Sequence, residues 1–442
     1  MKFQSRSSLS AVALGMLVLA WGSAMAQQAA PGVGPNPLLP APDHKLIPTI
    51  HIAPAQGWPQ GAVPTAPQGF KVTALATGLD HPRWVYTLPN GDVLVAESNR
   101  PAPEDGQKDK MAQGVRGKVQ GVVQKRAGAT AESPNRILLL RDPKGDGTAV
   151  EKHVFLENLV SPIGMALVGD ALYIANADGV VKVPYRQGQT EVHDVPQKVT
   201  DLPAGANHHW VKNILASADG KKLYASVGSD SNIGDNGMEA EQGRAAIWEI
   251  DLASGNKRVI AGGMRNPNGM GLEPQTKQLW TVVNERDELG NDLVPDYLTS
   301  VKDGGFYGWP WSYWGQHVDA RVKPANPQMV AKAIAPDYGL GSHVAPLGLA
   351  FSDQRMPGPW ASGAFIGEHG SWNRKPLAGY KVVFVPFSNG KPSGPPKDFL
   401  TGFISADGKA FGRPVGVALD GKGALLVADD VGNVVWKVAP QS

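Results

Sequence analysis

The 442-residue chain contains no cysteine. That absence excludes disulfides, zinc–thiolate sites, iron–sulfur clusters, a thiol nucleophile and C-x-x-C-H haem attachment. Any redox group must therefore be held without thiolates. Other signatures are missing too: there is no G-x-S-x-G elbow, no phosphate-binding loop and no H-E-x-x-H. No strand leads through G-x-G-x-x-G into a helix, which argues against a nicotinamide-binding domain. Charge of one sign is also lacking, since the formal net charge is only +2. Neither nucleic acid nor a purely electrostatic membrane partner is expected.

What is present begins with a secretory signature. Lys2 and Arg6 precede an apolar run from Leu9 to Trp21, and Ala24-Met25-Ala26 supplies the small residues of a cleavage site. The run is too short for a transmembrane span. Residues 1–26 therefore read as a signal peptide, with a periplasmic or secreted destination and no span after cleavage. Cleavage removes both basic residues and no acid, which leaves a formal charge of zero. Residues 27–68 hold ten prolines and form an extended leader. Residues 99–135 are basic and glycine-rich, which predicts a mobile loop insertion. The segment from Asp142, D-P-K-G-D-G, reads as a turn rather than a calcium loop.

Residues 69–442 read as one all-β domain. The 53 glycines and 37 prolines suit many short strands joined by turns. A hairpin unit recurs six times: a polar or proline-containing start, an apolar strand, a glycine-rich turn and a second apolar strand. The copies begin at His81, Ser161, His208, Asn266, Ala345 and Arg413. Further strands fit between them at Arg136–Arg141, Ala245–Asp251 and Tyr380–Phe387. Six such units predict a six-bladed β-propeller. Phe70–Thr77 is expected to close the ring beside Val434–Val438.

In a propeller blade the first strand lies nearest the channel. Its start and the end of the antiparallel second strand share one face. The starts bring Arg83, His208, His209, Arg265, Asn266, Asn268 and Arg413 to that rim. The ends bring Glu97, Asn176, Asn284, Glu285, Arg286, Asp287, Glu368, His369 and Asp429. Histidine is the usual base near neutral pH. A guanidinium at the mouth suits a carboxylate or a developing oxyanion. The stretch from Asn284 through Glu285, Asp287 and Asp292 to Asp296 is rich in the oxygen ligands that calcium takes. The aromatic run Phe306–Trp314 offers faces for a flat cofactor or a sugar ring, or blade core. His369-Gly370-Ser371-Trp372-Asn373-Arg374 adds another imidazole, amide and guanidinium.

At these residues the chain resembles the sugar dehydrogenases dependent on pyrroloquinoline quinone (PQQ). It is most similar to the L-sorbosone and pyranose dehydrogenase branch, and more distantly to soluble glucose dehydrogenase. The resemblance runs from about residue 70 to 438. It rests on H-H-W-V-K-N-I, M-R-N-P-N-G-M-G-L-E-P, V-N-E-R-D-E-L-G-N-D-L-V-P-D-Y-L, G-G-F-Y-G-W-P-W-S-Y-W-G-Q and E-H-G-S-W-N-R. It implies PQQ flat over the channel mouth with a calcium ion touching the quinone. By position, His209 would be the base. Arg265 would polarise the quinone oxygen, and Asn266 would hold the same edge. Arg286 and Asp287 would offer backbone carbonyls to calcium, with Glu285 beside them. Arg374 and Arg413 would take the cofactor carboxylates, and His208, His369 and Trp372 would complete the cofactor contacts. Two departures stand out. His208 replaces the acidic residue that soluble glucose dehydrogenase carries before its catalytic histidine, and no lysine stands within H-G-S-W-N-R.

The implied activity is oxidation of a sugar or sugar aldehyde (an aldose, a pyranose or a sorbosone-like compound). Because no haem can attach covalently through cysteine, electrons would leave to an external acceptor, a quinone or cytochrome. Two readings compete: a calcium-dependent propeller lactonase using Glu97, Asn176, Asn284, Glu285 and Asp429, and a non-enzymatic sugar-binding propeller.

Overall fold

The computed structural model describes residues 1, 30–43, 49–101, 131–142, 144–149, 151–205 and 209–441. The signal peptide, His208 and most of the 99–135 insertion lie outside the described residues. The rest is an almost entirely β structure of six blades around a central axis.

Blade 1 is built from Pro82–Thr87, Val93–Glu97, Arg136–Arg141 and Glu151–Leu156, and blade 2 from Met165–Val168, Ala171–Asn176, Gly179–Pro184 and Gln197–Asp201. Blade 3 holds Lys212–Ala216, Lys222–Val227, Ala246–Asp251 and Lys257–Gly262. Blade 4 holds Asn266–Leu272, Leu279–Asn284, Pro295–Ser300 and Tyr338–Ser342, with the leader strand Val33–Gly34 added at its edge. Blade 5 holds Pro346–Phe351, Gly363–Glu368, Lys381–Ser388 and Lys397–Leu400. In blade 6, Pro414–Leu419, Leu425–Asp429 and Val434–Pro440 are joined by Phe70–Thr77, which pairs antiparallel with the last strand and closes the ring.

The second strand of each blade is apolar on both faces because each blade is packed between two others. In Ala171–Asn176, Leu172 and Ile174 enter the core shared with blade 1, while Tyr173 and Ala175 enter the core shared with blade 3. This is the period-two alternation of a strand, with both faces buried. The same pattern gives six interblade cores. The one between blades 6 and 1 joins Leu75 and Leu426 to Val85 and Val95.

Glycines govern the inner ring. An added Cβ on Gly164 would lie 2.4 Å from Ile214 N, and one on Gly269 would lie 2.6 Å from Leu349 N. On Gly348 it would lie 2.3 Å from Val415 O, and on Gly416 2.9 Å from Arg83 O. The P-x-G start of these four copies is therefore a packing device. It lets the first strand of one blade rest backbone to backbone on that of the next.

Candidate functional site

The rim is built where first strands begin and second strands end, and it organises into three linked groups. The first surrounds His209. Its strand begins only at Lys212, so the imidazole stands on the approach to blade 3 rather than in the ladder. Gly228, just past the second strand of blade 3, brings it against blade 4. A Cβ there would lie 2.5 Å from His209 Cβ and 2.4 Å from Asn266 Oδ1. Nδ1 of His209 is 3.0 Å from both the carbonyl and the hydroxyl oxygen of Ser229. The Ser229 hydroxyl donates its proton to Ser231 O at 2.7 Å. Both groups facing Nδ1 therefore act as acceptors, so Nδ1 carries the hydrogen and the basic lone pair lies on Nε2. Asn266 Oδ1 is buried without a hydrogen-bond partner.

The second group centres on Arg265, whose side chain is 4% exposed. Nε donates to Asn232 O (3.2 Å) and Nη1 to Glu285 O (2.7 Å). Nη2 donates to Asn232 Oδ1 and to Asp287 Oδ2, each at 2.9 Å. Four of its five N–H groups are thus committed, and at most one on Nη1 is left for a ligand. Asp287 also accepts from Asn373 Nδ2 (2.8 Å), and His343 Nδ1 lies 3.6 Å from it. His343 is raised above its ordinary value: burial opposes the charge, but Asp287 and Asp296 outweigh it. Burial pushes the Asp296 carboxyl up to about 7, although it accepts from Glu285 N and Ala345 N. The aromatic run serves this group as support. Trp309 donates to Asn232 O at 2.9 Å, while Tyr307 and Tyr313 are buried.

The third group joins blades 5, 6 and 1. His369 Nε2 lies 3.0 Å from Asp430 Oδ2, which also takes Arg83 Nη1. Burial would raise Asp430, but His369 and Arg83 hold it far below the usual carboxylate range. Burial lowers His369, helped by Arg413 and Arg83. A neutral His369 donating to an ionised Asp430 satisfies both. Arg83 lies 5.8 Å over the Trp210 ring, beside His209 in sequence.

The remaining expected residues are placed as follows. Arg413 donates to Ala53 O (3.1 Å), and its guanidinium lies 5.1 Å over Tyr380. Arg374 donates to Ser342 O (3.0 Å) and Asp292 Oδ1 (2.8 Å). Trp372 is half-buried, and its carbonyl accepts from His51 N. Asn268 turns back onto Asn266 O. Arg286 is fully buried, bonded to Glu285, Pro310 O, Ser312 O and Asp319. Glu97 caps Asp80 N and takes Arg136. Asp429 accepts from Trp58, Trp436, Arg413 N and Gly432 N. Asp142 closes a turn on the amides of Gly145 and Gly147.

Unlike the Asn373 amide, Ser229, Asn232, His343 and Asp430 were not singled out from sequence. Three of them carried a signal. Ser229 and Asn232 follow the second strand of the third copy, and Asp430 directly follows that of the sixth.

A carboxylate-bearing planar ligand suits this chemistry. Buried polar atoms without partners gather at the rim: Asn266 Oδ1, Asn373 Oδ1, Arg83 Nε, Arg374 Nε and Arg413 Nε. A divalent cation on the 285–287 segment suits it less well. Glu285 O is taken by Arg265, and Asp287 O by Arg321 at 2.9 Å. Arg286 lies against Glu285 Oε2 at 3.0 Å. Guanidinium groups thus occupy Asp287 O, one of the two carbonyls expected to meet calcium, together with Glu285 O and Glu285 Oε2, while none of these contacts falls on Arg286 O. Among the described residues, no group of three or more His, Asp or Glu side chains is placed to hold a metal.

Fold and rim together define a ring-closed propeller with a polar, cation-rich mouth. The chain belongs to the TrAA12-like family, which it matches over residues 136–297 and 316–441. It is 28% identical over 298 residues to an uncharacterised protein of Borreliella burgdorferi, covering 65% of this chain and 77% of that one. It is 26% identical over 306 residues to a PQQ-dependent pyranose dehydrogenase of Coprinopsis cinerea, covering 53% of this chain and 40% of that protein. The match thus spans less than half the length of that curated relative. The PQQ domain of a Coprinopsis cinerea pyranose dehydrogenase superposes with a TM-score of 0.66 at 20% identity, over 88% of this chain and 100% of that one. A calcium structure of a Trichoderma reesei family AA12 enzyme gives 0.66 at 19% identity, over 89% and 99%. The expected kinship with sugar-oxidising oxidoreductases is met at the level of this family. Among the described residues, no helix is long and apolar enough to cross a membrane.

Proposed function

We propose that this chain is a PQQ-dependent dehydrogenase that oxidises a sugar or sugar aldehyde in the periplasm and passes electrons to an external quinone or cytochrome. The observation that carries the reading is the fixed tautomer of His209. A histidine whose Nδ1–H is held by Ser229, which leaves the lone pair on Nε2, and which packs at Gly228 together with the unpaired Asn266 oxygen, is arranged as a general base. When bound, PQQ supplies a two-electron quinone acceptor for hydride. His209 Nε2 takes the proton of the substrate hydroxyl. Arg265 keeps a permanent positive charge at the same edge, and Asn232, Glu285 and Asp287 preorganise it so that no reorganisation is needed as negative charge develops. Asn266 and Asn373 present unpaired amide oxygens, and Arg374 and Arg413 supply the cations that suit carboxylates. His208 and Trp372 belong to the same proposed surface by their sequence positions, and His369 by its link to Asp430.

Calcium is supported by the oxygen-rich 284–296 stretch, but the arginines on Glu285 O and Asp287 O do not favour it there, and no step is derived through it. The lactonase reading needs carboxylates as well as amides free to hold a metal. Glu97 and Asp429 are instead spent on turn amides, arginine and indole donors. The test is dye reduction by the purified chain, with and without PQQ, across aldoses, pyranoses and sugar aldehydes. Reduction only with PQQ supports the reading. Hydrolysis of a lactone without PQQ, or sugar binding with no PQQ affinity, would replace it.

A further inference from the structure

The proline-rich leader does more than precede the propeller. Its described part runs along the rim and touches the segments that carry the two outlying arginines. His51 N donates to Trp372 O at 2.9 Å, and His51 forms a parallel bridge with Asn373. His51 Nδ1 lies 3.1 Å from Arg374 O. A carbonyl only accepts, so this Nδ1 carries the hydrogen. Two residues on, Ala53 is fully buried and its carbonyl accepts from Arg413 Nη2 at 3.1 Å. Gln56 N donates to Ala410 O, and Ala410 N to Pro54 O, each at 2.8 Å. Trp58 then packs edge-on against Phe403 and Trp436. Its indole donates to Asp429 Oδ2 at 2.7 Å, while Asp429 Oδ1 receives the Arg413 backbone N–H at 2.8 Å. Earlier in the leader, Asp43 N donates to Leu289 O at 3.0 Å, in the loop that carries Asp287.

These contacts fall on the backbone of Arg374 and on both the backbone and guanidinium anchors of Arg413. A mere edge cover would need none of them. Each of the two arginines has a buried Nε without a partner; the leader holds Arg413 at its guanidinium and Arg374 at its backbone, while Ser342 O and Asp292 hold the Arg374 guanidinium. We infer that His51 and Trp58 are positioning residues: the leader straps Arg374 and Arg413 into the geometry that receives the ligand's carboxylates. The inference rests on the proposed PQQ reading and extends it to a segment outside the repeat.

The test is PQQ affinity of the full chain, measured by quenching of intrinsic fluorescence, alongside Tm and the sugar KM and kcat at saturating PQQ. His51→Ala removes the donor to Arg374 O. His51→Asn places an amide N–H close to where Nδ1 stands. Trp58→Phe keeps an aromatic ring in the core but removes the donor to Asp429. His51→Ala and Trp58→Phe are each expected to weaken PQQ about fivefold, the scale of one lost hydrogen bond, with sugar KM unchanged. His51→Asn is expected to restore wild-type affinity. Unchanged affinity in both weakening variants, or a His51→Ala loss that Asn does not rescue, overturns the strap while the functional reading stands. A wild-type chain that binds no PQQ overturns both.

Discussion

His209 and Glu368 show how far single residues can be argued. With Nδ1–H fixed on Ser229, His209 acts through Nε2, and its imidazole is not needed to hold a ligand carboxylate. His209→Ala is therefore expected to lower kcat by about 10²–10⁴-fold while PQQ affinity changes less than about threefold; equal loss of both would remove the base assignment. Glu368 is a buried end-of-strand acid whose Oε2 has no partner, and burial raises it to about 8. Because its folded value lies above the unfolded one, the folded state holds the extra proton between about pH 4.5 and 8. Folding stability must then fall as pH rises through that window, by up to about 1.4 kcal/mol per pH unit. Glu368→Gln mimics the protonated acid and lacks this slope. Thermal melts should show wild type and variant alike near pH 4 and the variant more stable near pH 9. If the two curves run parallel, Glu368 is not buried as the neutral acid. Much of the site at this scale was legible, because strand starts and ends can be read from a repeat. His343 was not legible: it precedes the fifth copy, and only the folded loop brings it to Asp287.

Each blade's first strand tests the packing argument at the scale of the element. Gly348 sits where the strand of blade 5 meets that of blade 6, and a Cβ would fall 2.3 Å from Val415 O. The obstacle is backbone on both sides, so it cannot be relieved by a rotamer change. Gly348→Ala should cost about 2–4 kcal/mol in denaturant unfolding, at or above the upper range for overpacking. Gly262 ends the fourth strand of blade 3, with nothing within 4 Å of an added Cβ. Gly262→Ala should stay within about 0.5 kcal/mol of wild type. Similar costs at the two positions would remove the inner-ring argument. The hairpins themselves were legible because doubly buried strands such as Leu425–Asp429 leave unbroken apolar runs. The glycine column was in the same letters but has meaning only once the copies stand side by side. The polar start of the third copy leads into a ladder that begins at Lys212, and His209 and Trp210, ahead of it, reach blade 4 and Arg83.

The whole molecule is a ring closed by pairing Phe70–Thr77 to Val434–Pro440 and braced across blades 4 to 6 by the leader. A ligand that binds only this closed state raises its stability by mass action, about 2.7 kcal/mol at one hundred times Kd. PQQ at that excess should therefore raise Tm by a few degrees, even where no sugar in a panel is turned over. Calcium makes the opposite case. The 284–296 loop is already pinned: Arg265 and Arg321 take its carbonyls, Arg286 ties Glu285 to Asp319, and Arg374 holds Asp292. A cation is not required to order it, so a chelator should leave the Tm of the PQQ-free chain within about one degree, a change of no more than about 1 kcal/mol for a ring of this size. A drop of several degrees on chelation, reversed by added calcium, would mean that the folded ring does carry the ion. The arginine-bound carbonyls of Glu285 and Asp287 would then be the first place to look for a rearrangement that admits it.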